Sequence, residues 1–501
     1  MNLVFSYNLV AHSQTSAQAG KISLRILLLV FLLACLVPLA LVGWRELYQS
    51  FLERQEPEIV LLETPRGIGI TPVSLRVRFE DDLSGLDEIV IRAKQRRRST
   101  EIVRKKLAGV AKEEITLEFD RKDSGFEEGE LTLEIRAFDR SMWSNGAEKE
   151  IVLRVDFKRP QLEVISTQHN ARRGGSQLIF YTAEDENLAL SGVKVGPHTF
   201  IGFPARRLDG AFESVKDLYV ALYAIPLDIA ENPRIRLFAE DRVGNTKSSN
   251  FHNRILPRRV PRNRINLSEQ YLDTTISRLL NNNYDIINQY QERLGIDFKF
   301  DSTEQSQARL IENFKLVNGV LREITENRLQ SYLAISRYDF YWDRALLPQN
   351  GVVLRGFGEE LGYFFNEELL GQELHTGFIY APRSTTNKVI ASGSGVVMFS
   401  EELGLLGSTI GIDHGLGLAS IYSWMGLREV QKGTRIQIGE NLGQYGESGF
   451  AAGRQLLFQT RVHGIPVDPT EWLSRSWYQS HVSSKIDEAK RSLGIPVRLA
   501  F

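Results

Sequence analysis

The chain has 501 residues, of which 42% are hydrophobic and 25% are charged. This is an ordinary composition for a globular protein, and the length predicts two to four domains. The formal net charge of −1 excludes a protein that binds nucleic acid or lipid headgroups through overall charge. The single cysteine, Cys35, excludes a disulfide within the chain, so the domains must be stabilised by hydrophobic cores.

Near the N-terminus, residues 26–44 contain no charged side chain. A run of about 20 apolar residues can span a bilayer, so this segment is predicted to form a transmembrane helix. Lys21 and Arg25 precede it, and positive charge usually stays on the cytoplasmic side. The sequence therefore predicts that residues 1–25 are cytoplasmic and that everything after the helix lies outside the cytoplasm.

Residues 57–256 contain a duplicated pattern, in which three short motifs recur about 100 residues apart. The corresponding positions are Pro57 and Pro160, Asp81 and Asp185, and Asp139 and Asp241. Hydrophobic and polar residues alternate from Val73 to Phe79, as in a half-buried strand. Two modules of about 100 residues built from such strands are typical of β-sandwiches. We predict sandwiches at residues 57–158 and 159–256, and they resemble bacterial immunoglobulin-like domains.

The repeated aspartates lie in turns such as Ala239 to Asn245. They could bind calcium, or each carboxylate could cap the backbone of its own turn. The second role is the more common one for an aspartate in a turn, and the sequence favours it.

After a basic connector at residues 257–264, the hydrophobic period changes from two to about 3.5. Residues 266–345 are therefore predicted to form a helical hairpin or short coiled coil that begins at a cap at Asn266 or Ser268. Its apolar positions are Leu267, Tyr271, Leu272, Ile276, Leu279 and Leu280 on one helix, and Leu310, Phe314, Val317, Leu321 and Ile324 on the other. Two roles stay open: local packing on neighbouring domains, or a gate or docking arm that covers a groove until a partner arrives.

In the last third of the chain, short apolar runs alternate with glycine-containing turns, which predicts a compact all-β domain. Its motifs are His375-Thr-Gly377-Phe-Ile379, Ala391 to Val397, Ile410 to Gly417, Tyr422 to Met425, Val430 to Gly449, Gln455 to Phe458, and Gly464 to Pro469. In their order these motifs resemble the lysostaphin/LytM family of zinc metallo-endopeptidases, which cut peptide cross-links in bacterial peptidoglycan. The resemblance covers residues 351–475 and implies the fold of that family.

The resemblance also implies where a zinc site would lie. The three zinc ligands of the family correspond to His375, Ile379 and Leu457, and its two catalytic histidines correspond to Trp424 and Gln455. A catalytic zinc needs three protein ligands of the His or carboxylate type. Since only His375 can bind a metal, we expect no metal, no cofactor and no catalytic residue. We interpret the five positions as a vestigial groove that a partner could bind.

The register of these motifs depends on Tyr422 and Phe458, which match the family beside the substituted positions. Other donors that could rebuild a site are Glu373, Tyr380, His414 and His463. We expect His414 to be a structural, hydrogen-bonded histidine and His463 to be exposed in a hairpin turn.

The sequence thus predicts a multidomain, mainly β protein with an N-terminal transmembrane helix, two immunoglobulin-like sandwiches, a helical hairpin and a degenerate LytM-like domain. Residues 476–501 are predicted to form a C-terminal helix and tail.

By resemblance to degenerate members of the family, we expect a single-pass protein of the bacterial inner membrane with its domains in the periplasm. It would bind and regulate a peptidoglycan hydrolase such as an amidase, or scaffold cell-wall machinery, and it could also contact peptidoglycan itself. Two alternatives stay open: an active zinc endopeptidase with substituted ligands, and a structural envelope protein with an inert groove.

Overall fold

A computed structural model describes most of the chain, namely residues 36–37, 43–44, 53–121, 125–230, 233–295, 306–383 and 387–497. The segment predicted to be cytoplasmic and nearly all of the predicted transmembrane helix lie outside these residues. Within the described ranges, no helix is both long and apolar enough to cross a membrane. The chain divides into two compact units, Met1–Phe157 and Lys158–Phe501.

The first unit contains two antiparallel sheets. Their strands are β1 (Glu58–Glu63), β2 (Val73–Glu80), β3 (Leu86–Gln95), β4 (Arg98–Val110), β5 (Lys112–Phe119), β6 (Gly129–Asp139) and β7 (Gly146–Val155). The sheet orders are β1-β2-β5 and β4-β3-β6-β7, and side chains from both sheets share one core. On β2 the residues Leu75, Val77 and Phe79 are fully buried, as the period of two predicts.

The second unit begins with another pair of sheets. The strands are β8 (Gln161–Val164), β9 (His169–Arg172), β10 (Ser176–Glu184), β11 (Leu188–Val195), β12 (His198–Ile201), β13 (Phe203–Pro204), β14 (Leu218–Ala224), β15 (Ile235–Asp241), β16 (Thr246–Asn250) and β17 (Asn253–Leu256). The orders are β13-β14-β10-β8 and β12-β11-β15-β16, while β9 pairs with β17 in a parallel ribbon. The immunoglobulin-like relationship of both sandwiches stays a prediction.

Two helical arms follow β18 (Arg262–Asn266). The first arm, residues 269–293, consists of α1 (Glu269–Tyr271), a π-helical turn (Leu272–Ile276) and α2 (Ser277–Arg293). The second arm, residues 307–333, consists of α3 (Gln307–Leu316), a π-helical turn (Val317–Leu321) and α4 (Arg322–Leu333). The hydroxyl of Ser268 accepts a hydrogen bond from the Tyr271 N–H and caps the first arm.

The C-terminal β domain is built around an eight-stranded sheet. The strands are β19 (Gly351–Arg355), β20 (Glu360–Phe365), β21 (Glu368–Leu374), β22 (Phe378–Pro382), β23 (Lys388–Ile390), β24 (Gly395–Glu402), β25 (Ser408–Gly415), β26 (Leu418–Ser423), β27 (Met425–Arg428), β28 (Arg435–Ile436), β29 (Asn441–Tyr445), β30 (Leu456–Val462) and β31 (Ile465–Val467). The main path is β19-β22-β30-β26-β25-β24-β28, and β31 pairs with β30. Smaller sheets have the orders β23-β29-β27 and β18-β20-β21.

The two faces of the main sheet contact different layers. Tyr422 and Phe458 belong to a core shared with the β23-β29-β27 sheet. Their sequence neighbours Ile421 and Leu457 point to the opposite face, where they share a core with the helical arms, including Phe314. Every residue of β25 and β30 is buried, because both faces of the sheet are covered.

Three short helices end the described chain: α5 (Pro469–Leu473), α6 (Arg475–Tyr478) and α7 (Ser484–Ser492). The C-terminal helix returns to the second sandwich, where Lys485 Nζ donates to the Thr167 carbonyl over 2.6 Å. The Thr167 hydroxyl donates to Glu488 over 2.6 Å. These contacts fix the predicted C-terminal helix against a sandwich more than 300 residues earlier in the chain.

Candidate functional site

Two of the implied ligand positions, Ile379 and Leu457, lie on the arm-facing side of two neighbouring strands. On β22, Ile379 is the register partner of Leu457 on β30, and Leu457 is in turn opposite Ser423 on β26. Directly opposed residues in antiparallel strands have Cβ atoms about 5 Å apart. The structure therefore brings Ile379 and Leu457 together, as the resemblance implies for two ligands of one site.

His375 lies just beyond the end of β21 and is 4% exposed. Its Nδ1 lies 3.4 Å from Glu373 Oε1, and its Nε2 is buried without a hydrogen-bond partner. Glu373 forms an ion pair with Arg322 of α4. Burial alone would raise the pKa of the Glu373 carboxyl, but Arg322 and then His375 stabilise its charged form and lower that pKa to about 2.

A second ion pair joins α4 to the sheet. Arg461 on β30 is 2% exposed, and its Nη2 lies 3.0 Å from Glu326 Oε2 while Nη1 contacts Oε1. Because side chains alternate along a strand, Arg461 projects from the same face as Leu457. Burial would raise the pKa of Glu326, but Arg461 outweighs burial and the pKa is lowered. The second arm therefore places charged groups directly over the implied metal site.

A cavity of about 90 Å³ remains between the arm and the sheet. His375, Ile379, Trp424 and Leu457 all contribute to its wall. Trp424 is 6% exposed, and its indole Nε1 donates to the Leu405 carbonyl over 3.3 Å. This cavity, which contains four of the five positions of the vestigial groove, is thus covered by the second arm, and the Trp424 indole is almost completely buried.

Gln455 lies apart from this cavity. It precedes β30 and exchanges backbone hydrogen bonds with Gly446. Its side chain borders a larger and more open pocket of about 550 Å³, together with Tyr271 of the first arm. Ile379 and Trp424 separate the two spaces, since they line both.

His414 has the structural role expected for it. Its Nδ1 lies 2.6 Å from the Ser394 carbonyl oxygen and its Nε2 lies 2.7 Å from Ser420 Oγ. Complete burial lowers the pKa of His414 to about 4, so the ring is neutral near neutral pH. Tyr380 is buried in the core on the other face of the sheet. Neither residue is placed to rebuild a metal site with His375.

The expectation that His463 is exposed is wrong. The His463 ring stacks on Phe203 at a centroid distance of 6.0 Å and meets Phe200 edge-on at 5.9 Å. Burial lowers the pKa of His463 to about 4. The hairpin turn packs on the second sandwich. A turn motif in the sequence therefore does not show whether the turn is exposed to solvent.

Sequence reasoning missed Arg322, Glu326 and Arg461 as members of this site. Two signals were present: Arg322 and Glu326 are four residues apart and therefore share a helix face, and Arg461 is the one charged residue in the segment Leu456–Val462. Together with His375, these residues do not fit a catalytic zinc. Two implied ligand positions are aliphatic, and two guanidinium groups already line the cavity.

Comparisons with known proteins agree with the position of the LytM-like domain in the chain. Residues 373–469 match Peptidase family M23, so this part of the chain is an M23 domain of the LytM/lysostaphin type. The DD-carboxypeptidase/endopeptidase Mpg of Neisseria meningitidis is 33% identical over 109 residues, which are 22% of this chain and 25% of that protein. The murein hydrolase activator EnvC of Escherichia coli is 30% identical over 132 residues, or 26% of this chain and 29% of EnvC.

The chain thus spans about a quarter of the length of these curated relatives. Among solved structures, the catalytic domain of lysostaphin from Staphylococcus simulans is similar, with 21% identity and a TM-score of 0.21. That alignment covers 25% of this chain and 92% of the lysostaphin domain.

Proposed function

We propose that this protein is a non-catalytic, membrane-anchored M23-domain protein that binds and regulates a peptidoglycan hydrolase, such as an amidase, in the bacterial envelope. The observation that carries the proposal is the pairing of Ile379 with Leu457 at two positions where the family has zinc ligands. Aliphatic side chains offer no electron pair to a metal, and one histidine cannot hold a catalytic zinc. An M23 domain that cannot hold its metal retains a shaped surface, and binding is the function left to such a surface.

A regulatory role is supported by the similarity to EnvC, which is a murein hydrolase activator. We therefore assign a hydrolase as the partner. The proposed location is the inner membrane, with residues 26–44 as the anchor and the described domains in the periplasm, where such a hydrolase would be met.

In this proposal, regulation changes the position of the second helical arm. The second arm is held over the groove by two ion pairs, Arg322 with Glu373 and Glu326 with Arg461. Trp424 and Leu457 line the cavity beneath this arm, and both are nearly buried. We propose that the arm is a gate, and that the hydrolase engages the protein more strongly when the arm is displaced.

Two other functions make different predictions. An active zinc endopeptidase would need metal ligands in addition to His375. The observation that favours this alternative is the His375 Nε2 atom, which is buried and has no hydrogen-bond partner. A structural envelope protein would need no partner at the groove at all.

Metal analysis separates the first alternative from the proposal. Full-length protein is incubated with zinc, desalted and analysed for bound metal, and it is also incubated with purified peptidoglycan. We expect well under one equivalent of zinc and no release of muropeptides. Stoichiometric zinc together with chelator-sensitive release would overturn the proposal.

Amidase stimulation separates the second alternative. Peptidoglycan digestion by an envelope amidase is measured with the parent protein and with Arg322→Gln, which breaks one ion pair of the arm. We expect stimulation to rise several-fold, because the gate opens more readily. Arg328→Gln is the matched control, since Arg328 lies on the same helix but pairs with Glu401 on the surface. Absence of binding and stimulation for every variant would favour the structural role.

The proposed location has its own experiment. A reporter that is active only in the periplasm is fused after Phe501, and the expected result is activity that depends on residues 26–44. A C-terminus found in the cytoplasm would remove the hydrolase as a partner.

A further inference from the structure

Three carboxylates meet at one end of the first sandwich. Glu53, Asp81 and Asp139 each place an oxygen within 4.8 Å of the others. Their exposed fractions are 2%, 7% and 1%, so the cluster is buried. Glu53 lies ahead of β1, Asp81 follows β2, and Asp139 ends β6, so the cluster joins the entry segment to both sheets.

The hydrogen bonds around the cluster orient two of the carboxylates. Asp81 Oδ1 accepts from the backbone N–H of Leu83 and of Gly85, both at 3.0 Å. Asp139 Oδ1 accepts from the Ser141 hydroxyl over 2.8 Å, and its Oδ2 accepts from Asn145 Nδ2 over 2.7 Å. All these donors are neutral. They fix the carboxylates in place but add no positive charge to balance three acids in one buried site.

Glu53 provides the second, independent observation. Its Oε2 is buried and has no hydrogen-bond partner. A buried carboxylate oxygen without a donor or a cation costs free energy, and the cost rises when two other carboxylates are within 4.8 Å. A buried carboxylate with an unpaired oxygen, clustered with two oriented carboxylates, is what a cation site provides before its ion binds.

We infer that Glu53, Asp81 and Asp139 form a divalent cation site in the first sandwich, and that its ion is calcium. Calcium prefers oxygen ligands, takes six to eight of them, and accepts irregular geometry. Three carboxylates from three chain segments supply such a set, and water or backbone carbonyls can complete it. Magnesium requires near-ideal octahedral geometry and keeps most of its waters, so it fits a buried three-carboxylate site less well.

This site would fasten the segment that enters the first sandwich. Glu53 comes only five residues before β1, while Asp81 and Asp139 belong to the body of the sandwich. A bound ion therefore ties the entry segment to the sandwich, and its loss frees that segment. The sequence favoured backbone capping as the role of these aspartates; at Asp81 the capped turn would also orient a ligand.

The test compares full-length parent protein with Glu53→Gln. Equilibrium dialysis against calcium measures the number of bound ions, and Glu53→Gln is expected to bind one equivalent fewer than the parent. Glu56→Gln is the matched control, because Glu56 is exposed three residues away on the same segment. Terbium luminescence excited through Trp143, four residues after Asp139, should fall with Glu53→Gln and with Trp143→Phe.

The difference in unfolding temperature between Glu53→Gln and the parent should have opposite signs with chelator and with calcium. With chelator present, Glu53→Gln is expected to unfold at the same or a higher temperature than the parent, because one of three repelling charges is gone. With calcium present, the order should reverse. Equal calcium binding by parent and Glu53→Gln would overturn the site. A deficit seen only for magnesium would overturn the assignment to calcium.

Discussion

Arg461 on β30 and Glu326 on α4 form a bidentate ion pair, in which Arg461 Nη2 and Glu326 Oε2 are 3.0 Å apart. The pair lies on the face of the sheet that also carries the implied ligand positions Ile379 and Leu457. The arginine is almost completely buried, whereas the glutamate side chain is 44% exposed. The guanidinium thus depends on a helix from outside the sheet for its counter-charge. The arm and the M23 domain are therefore coupled electrostatically as well as by apolar packing.

The first prediction concerns this pair. Glu326→Gln leaves the buried Arg461 with a neutral partner, and we expect a loss of about 1 to 2 kcal/mol in the free energy of unfolding, reduced by the exposure of the glutamate. Urea denaturation measures it, and hydrogen exchange should show faster opening of residues 307–333. Arg328→Gln breaks the exposed pair with Glu401 and should cost less than about 0.5 kcal/mol. Equal costs for both variants would mean that the arm is not held by Arg461.

The second prediction concerns Trp424. Because its indole is buried between the sheet and the arms, Trp424→Ala should destabilise the protein by about 3 to 5 kcal/mol. Trp143 is 56% exposed, so Trp143→Ala is the control and should change stability little. Thermal and urea unfolding are measured beside amidase binding. If Trp424→Ala unfolds like the parent but loses the partner, the indole is a contact surface and the arms do not cover it in solution.

The third prediction concerns Glu471 on α5, whose Oε2 accepts a hydrogen bond from the Ser176 N–H over 2.9 Å. Burial raises the pKa of this carboxyl from 4.5 to about 8, so the folded protein keeps it protonated near neutral pH. Its stabilising contribution is complete below about pH 4.5 and is lost as the pH rises toward 8.

Glu471→Gln should remove that dependence. We expect the variant to be more stable than the parent by about 4 kcal/mol at pH 8 and by only about 1 kcal/mol or less at pH 5. Denaturant midpoints measured across this range provide the test. Glu447→Gln, at an exposed position, should follow the parent. Parallel curves for parent and Glu471→Gln would show that Glu471 is ionised in the folded protein.

Several features could be predicted because they depend on local pattern. The alternation along β2 gave the buried positions, and the period of the helical arms gave their buried stripe, including Leu272 and Phe314. Tyr422 and Phe458, which set the register of the M23 motifs, are direct partners across β26 and β30. Because successive side chains of a strand point to opposite faces, this correct register also determines that Leu457, next to Phe458, faces the groove.

Other features could not be predicted, because they depend on contacts between distant segments. His463 packs against aromatic residues about 260 positions earlier in the chain, so its turn motif did not indicate its environment. The amphipathic pattern of the arms indicates that one face of each arm is buried, but it does not identify the surface against which that face packs. Arg322 and Glu326 could equally have faced solvent on a helix of this composition. Only the fold pairs them with Glu373 and Arg461.

The C-terminal helix has a consequence for any attachment to this protein. Because Lys485 and Glu488 contact Thr167, the described chain ends beside the sandwich that opens the second unit. A tag, label or tether placed beyond residue 497 therefore starts from the sandwich flank. Crosslinkers installed there would sample the neighbours of the sandwich, and a mechanical load applied between residue 158 and the C-terminus would fall first on α7 rather than on the M23 sheet.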